Sequence, residues 1–120
     1  MTTADLIPAP PRHPMTPARY RVAWHRFDAP DTATLALDPV DEPLPVGLPG
    51  QFHMLYAVGV GEIPISLSGC ADSDGRVEHT IRAVGAVSRA LTESWPGTVI
   101  GSRGPFGTAF DLNAGGGDLL

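Results

Sequence analysis

Apolar and polar residues alternate along five short segments of the chain, which is the pattern of half-buried β-strands. These segments are residues 20–25, 32–37, 51–58, 62–68 and 77–84. The fourth contains Pro64, and because proline lacks a backbone N–H, this strand is expected either at the edge of a sheet or in an interrupted ladder. Residues 98–100 predict a sixth, shorter strand.

Glycine and proline separate these strands and favour tight turns, including a hairpin turn at residues 71–75. Prolines recur through residues 38–50 and exclude a central strand there. Residues 85–91 have short helical character, since Val87 and Leu91 lie four positions apart. Six strands of three to eight residues and one short helix predict an all-β fold, a small antiparallel barrel or sandwich.

Composition narrows the classes of function. The chain has 120 residues and a net charge of −5, enough for one domain with a modest core. All eight basic residues are arginines scattered along the sequence, so no nucleic-acid-binding face is expected. No apolar run reaches the ~18 residues of a membrane span, and no secretory signal is expected. The single cysteine, Cys70, excludes an internal disulfide or cysteine-ligated cluster within this chain and favours the cytoplasm.

Three regions are expected along the chain. Residues 1–17 are rich in proline and predict a flexible tail, with a docking arm for a partner subunit as the alternative. Residues 18–112 contain the strands. Residues 113–120 begin as a glycine-rich linker and end in an apolar run. They predict the start of a missing domain, with an ordinary frayed terminus as the alternative.

Three segments have residues suited to binding a ligand. In the first, Ile65 offers an apolar surface and Ser66 a hydroxyl or amide, which suits a planar ring with a polar edge, such as a flavin. Pro64 removes a backbone donor beside them. The alternative is a plain edge strand.

The second segment, residues 79–88, passes from a strand through Gly85 into the predicted helix. The first amides of a helix have no internal partners and suit a pyrophosphate, and glycine permits close approach. Ser88 either contributes a hydroxyl or caps the helix, and Arg82 either neutralises phosphate or stays solvated. An ordinary strand-to-helix turn is the alternative.

The third segment, residues 101–107, places three glycines and a proline around Arg103 and an aromatic residue. Such loops often lie at a binding site or a domain junction, and a plain chain reversal is the alternative. Other chemistry is not expected. The four histidines have no metal-ligand spacing, and no P-loop or nucleophile-elbow motif is present.

Together these stretches resemble the ferredoxin-reductase-like flavoprotein superfamily, and within it the gamma subunits of cytoplasmic nickel-iron hydrogenases and sulfhydrogenases. Similar families include the flavin subunit of anaerobic sulfite reductase and the electron transfer subunit of dihydroorotate dehydrogenase B. The matching stretches are residues 15–17, 20–22, 49–69, 79–91 and 101–112. The resemblance implies a six-stranded antiparallel Greek-key barrel that binds FAD. In the full-length protein an NAD(P)H-binding domain follows, often with a [2Fe-2S] cluster.

The resemblance also implies roles for individual residues. Those bordering the isoalloxazine ring and ribityl chain are Pro64, Ile65 and Ser66. Those lining the ribityl and phosphate path are His79, Thr80, Ile81 and Arg82. Those holding the pyrophosphate are Gly85, Ala86, Val87 and Ser88. Those closing the site at the domain junction are Gly104, Pro105 and Gly107.

The function implied is that of an electron-transfer oxidoreductase subunit, which moves electrons between NAD(P)H and a hydrogenase-type or other redox partner through a flavin. This chain alone is not expected to turn over NAD(P)H. The superfamily pattern R-x-Y-S is replaced by Ile63-Pro64-Ile65-Ser66. One alternative is therefore a non-catalytic barrel that acts as a binding or assembly module. The other is the flavin subunit of a sulfite reductase or dihydroorotate dehydrogenase B-like complex.

Overall fold

The computed structural model describes residues 16–48, 50–69 and 75–107. Its elements, in chain order, are β1 (Ala18–Ala29), β2 (Thr32–Pro39), β3 (Phe52–Ala57), β4 (Gly61–Ser66), β5 (Val77–Arg82), α1 (Ala86–Thr92) and β6 (Val99–Phe106). Three predictions fall outside the described residues: most of the tail, the turn after Cys70, and the linker with its following domain.

The six strands form one antiparallel sheet in the order β4-β3-β6-β1-β2-β5. Its two edge strands, β4 and β5, approach each other through an isolated bridge between Gly69 and Glu78. We call this junction between β4 and β5 the seam. The sheet therefore curls into a small barrel, as the sequence predicted.

Alternating side chains give the barrel its core. Along β1, for example, Ala18, Tyr20 and Val22 are buried whereas Arg19 and Arg21 are exposed. Inward-facing residues of every strand except β4 join this core, as does Leu91 of the helix. The hydroxyl of buried Tyr20 accepts a hydrogen bond from the amide of Leu44, at 2.8 Å. That bond holds the proline-rich connection between β2 and β3 against the barrel.

The sequence-based prediction for the last strand is too short. β6 runs from Val99 to Phe106, so most of the glycine-rich stretch is strand rather than loop. The reason is tertiary, because β6 pairs with β1 on one side and β3 on the other. A Cβ at Gly101 would lie 2.9 Å from Pro17 and 3.2 Å from Tyr56, so this glycine allows close packing. β1, with 12 residues, also exceeds the predicted strand length.

The short helix α1 packs against the barrel and contacts β2, β3, β4 and β5. Leu91 is fully buried in the core, and Val87 packs beside it. A Cβ at Gly61 would lie 3.0 Å from Val87 Cγ2, which places the helix close to the start of β4. Among the described residues, no helix is long and apolar enough to cross a membrane.

Leu91→Ala should lower the free energy of unfolding by about 2–5 kcal/mol, because it removes a fully buried side chain that anchors α1. Urea unfolding followed by circular dichroism measures the change. The matched control is Val84→Ala, since Val84 is 74% exposed and should change stability by no more than about 0.5 kcal/mol. Equal unfolding midpoints for the two variants would show that the helix is not anchored through Leu91.

Candidate functional site

The first predicted segment lies on β4. This strand pairs only with β3, so that Met54 is opposite Pro64 and Phe52 is opposite Ser66. The prediction that Pro64 marks an edge strand is confirmed. Pro64 and Ser66 are exposed, whereas Ile65 is half-buried and packs against the core. Part of the Ile65 side chain therefore remains open to a ligand.

The backbone of Ser66 points toward the seam. The amide of the next residue, Leu67, donates to the carbonyl oxygen of Gln51 at 3.1 Å, on the β3 side. Because successive residues of a strand direct their backbone groups to opposite sides, the N–H and C=O of Ser66 point away from β3. Ser66 thus presents its backbone polar groups where β4 faces β5.

Along β5, strand alternation divides the four residues predicted to line the ribityl and phosphate path. Thr80 and Arg82 are exposed, whereas His79 and Ile81 are buried. The guanidinium of Arg82 lies 3.4 Å from the carboxylate of Asp31, and both groups are solvent-exposed. Only Thr80 and Arg82 can offer side chains to a ligand at the surface, while His79 and Ile81 can offer backbone groups alone.

At the start of α1, the hydroxyl of Ser88 serves as a local cap. It accepts hydrogen bonds from the amides of Val84 and Gly85, at 2.8 and 2.9 Å, and it lies 3.2 Å from the carbonyl oxygen of Gly85. Ser88 is buried. Of the two roles that the sequence left open for this hydroxyl, the structure therefore supports the cap.

The surface beside Gly85 is open. A Cβ at this position would meet no atom within 4 Å, and its φ of −162° is accessible to any residue. The first helical hydrogen bond runs from the amide of Arg89 to the carbonyl of Gly85, at 2.9 Å. The amides of Ala86, Val87 and Ser88 precede this bond and have no intrahelical acceptor. The fold itself therefore does not require glycine at position 85.

The glycines of the third segment are required by the fold. Gly104 has a φ of +134°, and a Cβ there would lie 3.0 Å from His53 Cδ2 and 3.1 Å from the carbonyl oxygen of Phe52. Gly107 has a φ of +88° and lies close to the ring of Phe52. Pro105 follows Gly104 through a cis peptide bond. These residues form the tightly packed end of β6.

The predicted residues form two groups, one at each end of β4. At one end, Phe52 pairs with Ser66 on one side and with Phe106 on the other, which brings the first and third segments together. At the other end, Gly61 lies beside Val87 of α1. β4 has six residues and so spans about 20 Å. The arrangement suits an extended ligand better than a compact one.

A cleft of about 290 Å³ lies beside the end of β5 and the outer side of α1. Its lining residues are Phe27, Pro30, Asp31, Ala83, Arg89, Thr92 and Glu93. This cleft is at the helix end of the predicted site, and its lining does not include Ser66.

A buried pair of histidines lies behind the seam, and sequence reasoning did not find it. His53 of β3 and His79 of β5 are 1% and 0% exposed, and His53 Nδ1 lies 3.1 Å from His79 Nε2. His79 Nδ1 lies 3.0 Å from the carbonyl oxygen of Ser66. Both histidines occupy inward positions of their strands, alternating with apolar residues such as Leu55 and Ile81. That alternation was visible in the sequence, but their pairing depends on the barrel.

The partners of the two rings define their tautomers. A carbonyl oxygen only accepts, so His79 carries its proton on Nδ1 and donates to Ser66. Its Nε2 must then accept, and His53 therefore donates from Nδ1. His53 Nε2 is left as a lone pair, buried and without a partner among the described residues.

Burial keeps both rings neutral. It lowers the pKa of His53 from 6.5 to about 4. Burial, together with the neighbouring His53, lowers the pKa of His79 to about 3. Removal from water disfavours the charged imidazolium, so the pair acts through hydrogen bonds at neutral pH and carries no positive charge.

An ion pair ties β4 to β6 across the outer face of β3. Two guanidinium nitrogens of Arg103 each lie 2.7 Å from a carboxylate oxygen of Glu62. This bidentate contact lowers the pKa of Glu62. Arg103 also lies over the ring of Phe106, 5.6 Å from its centroid.

Comparison with known proteins gives three informative relatives. One is the probable dihydroorotate dehydrogenase B (NAD(+)) electron transfer subunit of Thermoplasma volcanium, which is 45% identical over 67 residues, 56% of this chain and 26% of the relative. A second is the sulfhydrogenase 1 subunit gamma of Pyrococcus furiosus, 40% identical over 73 residues, 60% of this chain and 25% of the relative. The third, from Methanocella arvoryzae, has the same name as the first and is 36% identical over 85 residues, 71% of this chain and 30% of the relative.

The chain is homologous to these redox subunits. The resemblance seen in the sequence is thereby confirmed for both kinds of complex. The matched region spans about a quarter of the length of these relatives. No protein-family model matches the chain.

The fold agrees with this relationship. A solved structure of the ferredoxin reductase in carbazole 1,9a-dioxygenase (FAD apo form) is similar to 75% of this chain, with a TM-score of 0.63 and 24% sequence identity. The similar region makes up 29% of that protein. The barrel is thus of the ferredoxin reductase type.

The histidine pair should make the fold sensitive to mild acid. Above pH 6.5 the imidazoles are neutral in both states and contribute no pH dependence. Between pH 6.5 and about 4, the unfolded chain binds protons that the folded chain excludes. The free energy of unfolding therefore decreases as the pH is lowered, by up to about 1.4 kcal/mol per pH unit for each histidine. Urea unfolding at pH 7 and pH 5 measures this loss, which should reach about 3–4 kcal/mol for the pair.

The matched control is the double variant His53→Leu/His79→Leu, in which the difference between pH 7 and pH 5 should largely disappear. If the wild-type chain unfolds at the same urea concentration at both pH values, the two rings are not excluded from protonation by burial.

Proposed function

We propose that this chain is the FAD-binding domain of an electron-transfer oxidoreductase subunit, which moves electrons between NAD(P)H and a redox partner through the flavin. The observation that most directly supports this is its homology to subunits of two different oxidoreductases on a barrel of the ferredoxin reductase type. The names of the two kinds of relative describe different reactions. A redox module common to both therefore accounts for the similarity of this chain to each.

The geometry at Gly85 is compatible with a dinucleotide. Most glycines that a fold needs have a positive φ or a crowded Cβ position, and Gly104 has both. Gly85 has neither, since its backbone is extended and its surroundings are empty. A glycine here keeps the amides at the start of α1 approachable, which is the requirement for a pyrophosphate.

The proposed site runs along the seam. The amides of Ala86, Val87 and Ser88 would hold the pyrophosphate, with Arg82 and Thr80 along the path between. At the other end, Pro64, Ile65 and Ser66 would border the isoalloxazine ring, and Gly104, Pro105 and Gly107 would close the site. The buried rings of His53 and His79 exclude water from the core side of β4. When bound, flavin supplies the hydride and single-electron chemistry.

Other parts of the proposal concern the surroundings of this domain. The relatives are named as subunits, so we propose that the chain acts with redox partner subunits in the cytoplasm. We also retain the prediction that residues 113–120 lead into an NAD(P)-binding domain, with [2Fe-2S] chemistry belonging to the full-length protein. The domain boundary at residue 112 likewise remains a prediction.

One alternative is favoured by a specific observation. Ile63 and Ile65 stand where the superfamily pattern has an arginine and an aromatic residue, and both are partly buried against the core. A barrel with these residues could serve as an assembly module without flavin. Titrating the purified chain with FAD separates the two hypotheses. Bound flavin absorbing at ~450 nm with an altered spectrum supports the proposal, whereas no binding at millimolar FAD supports the module.

Gly85→Asp should weaken FAD binding by at least about tenfold, because the carboxylate would repel the pyrophosphate and occupy the open surface. The barrel should stay folded, since the added side chain meets no protein atom within 4 Å of its Cβ. Thr98→Asp adds the same charge at an exposed position and is the matched control. Fluorescence titration with FAD measures both variants, and equal affinities would contradict the placement of the pyrophosphate.

A further inference from the structure

Backbone hydrogen bonds cross the seam at one place in the described structure. The amides of Ser68 and Gly69 donate to the carbonyl oxygen of Glu78, at 3.0 and 3.3 Å. Two residues before Ser68, the carbonyl of Ser66 accepts a hydrogen bond from the side chain of His79. A ring nitrogen therefore takes the place of a ladder amide where the proposed flavin-binding segment ends.

Among the described residues, no ladder pairs β4 with β5 before this bridge. Pro64 has no N–H to donate, so β4 cannot regain regular pairing with β5 nearer its start. The imidazole of His79 lies in the core and reaches outward to the Ser66 carbonyl. This contact satisfies a backbone acceptor that would otherwise need a β5 amide, and it does so without closing the exposed side of the seam.

His53 holds the ring of His79 in place. His53 Nδ1 donates to His79 Nε2 at 3.1 Å, which keeps the single ring N–H proton of His79 on Nδ1, facing Ser66. The arrangement leaves His53 Nε2 buried without a partner in the described part of the chain. A buried unsatisfied polar atom is costly, and an apolar side chain at position 53 would avoid the cost. The ring therefore has a use beyond filling the core.

We infer that His79, oriented by His53, is a positioning residue that fixes Ser66 for binding the flavin. This inference rests on the proposed function. His79 holds the carbonyl of Ser66, and the N–H of Ser66 lies on the same side of the strand as this carbonyl. The N–H and the exposed hydroxyl of Ser66 are then both available as donors to the polar edge of the ring system. The side chain of neither histidine touches the ligand, because both are fully buried.

His79→Leu, His79→Asn and His79→Gln test the inference in the full chain. The side-chain nitrogen of asparagine can occupy the place of Nδ1 and still donate to Ser66, whereas leucine has no donor. Glutamine carries its donor one bond further out. FAD should bind about tenfold more weakly to His79→Leu and His79→Gln than to the wild type. His79→Asn should restore affinity to within about twofold, as expected for one retained hydrogen bond.

Two measurements separate positioning from a merely structural role. The midpoint potential of bound FAD should shift in His79→Leu and in His53→Leu, since the donors at Ser66 are displaced in both. In the flavin-free chain, nitrogen NMR should show His79 protonated on Nδ1, and His53→Leu should shift the His79 Nε2 resonance, because that nitrogen loses its hydrogen-bond donor. Ser102→Ala is the matched control, because it removes the other buried side-chain polar atom without a described partner, a hydroxyl, and should leave affinity and potential unchanged.

The outcomes distinguish this inference from the proposed function. If wild-type chain binds no FAD, the proposed function fails, whatever the histidines do. If wild type binds FAD and all three His79 variants bind it with equal affinity and potential, the positioning role is wrong while the function stands. If His79→Leu fails to fold, the FAD affinities of His79→Asn and His79→Gln are compared instead. Equal affinities for these two variants would again overturn the inference.

Discussion

The closure of the barrel at the seam between β4 and β5 is the constraint on which the rest of the structure depends. Five of the six strand junctions are ordinary antiparallel ladders, and the sixth is a single bridge supported by the ring of His79. A fully paired seam would bury the edge of β4, and a fully open one would expose the core. The partial closure keeps a core and also leaves an edge that a ligand can reach.

This partial closure of the barrel lowers the stability of the fold. The ring of His53 occupies a core position where an apolar side chain would avoid an unsatisfied polar atom, since its Nε2 has no partner among the described residues. Gly85 likewise has no side chain although the backbone would tolerate one. Both departures from the most stable choice lie along the same seam, which is the pattern expected where binding, rather than stability, governs the residue type.

Much of the fold follows from local sequence. Alternation identified the strands, and Pro64 correctly marked an edge, because both depend on short-range geometry. The length of β6 could not be predicted from local sequence, because pairing with β1 and β3 extends the strand through its glycines. The segments of the proposed site followed from the resemblance and from Gly85, but the directions of their side chains did not. The pairing of His79 with His53 and the cap formed by Ser88 depend on how the strands and the helix pack, which no local pattern specifies.

Pro64 also bears on how copies of the protein behave toward one another. An exposed edge strand offers unpaired amides and carbonyls on which a strand from a second molecule can add, and such addition leads to aggregates. On β4 the proline removes one of these amides, and the ring of His79 occupies a carbonyl nearby. The same two residues that leave the edge of β4 unpaired at the seam thus make it a poor template for another polypeptide.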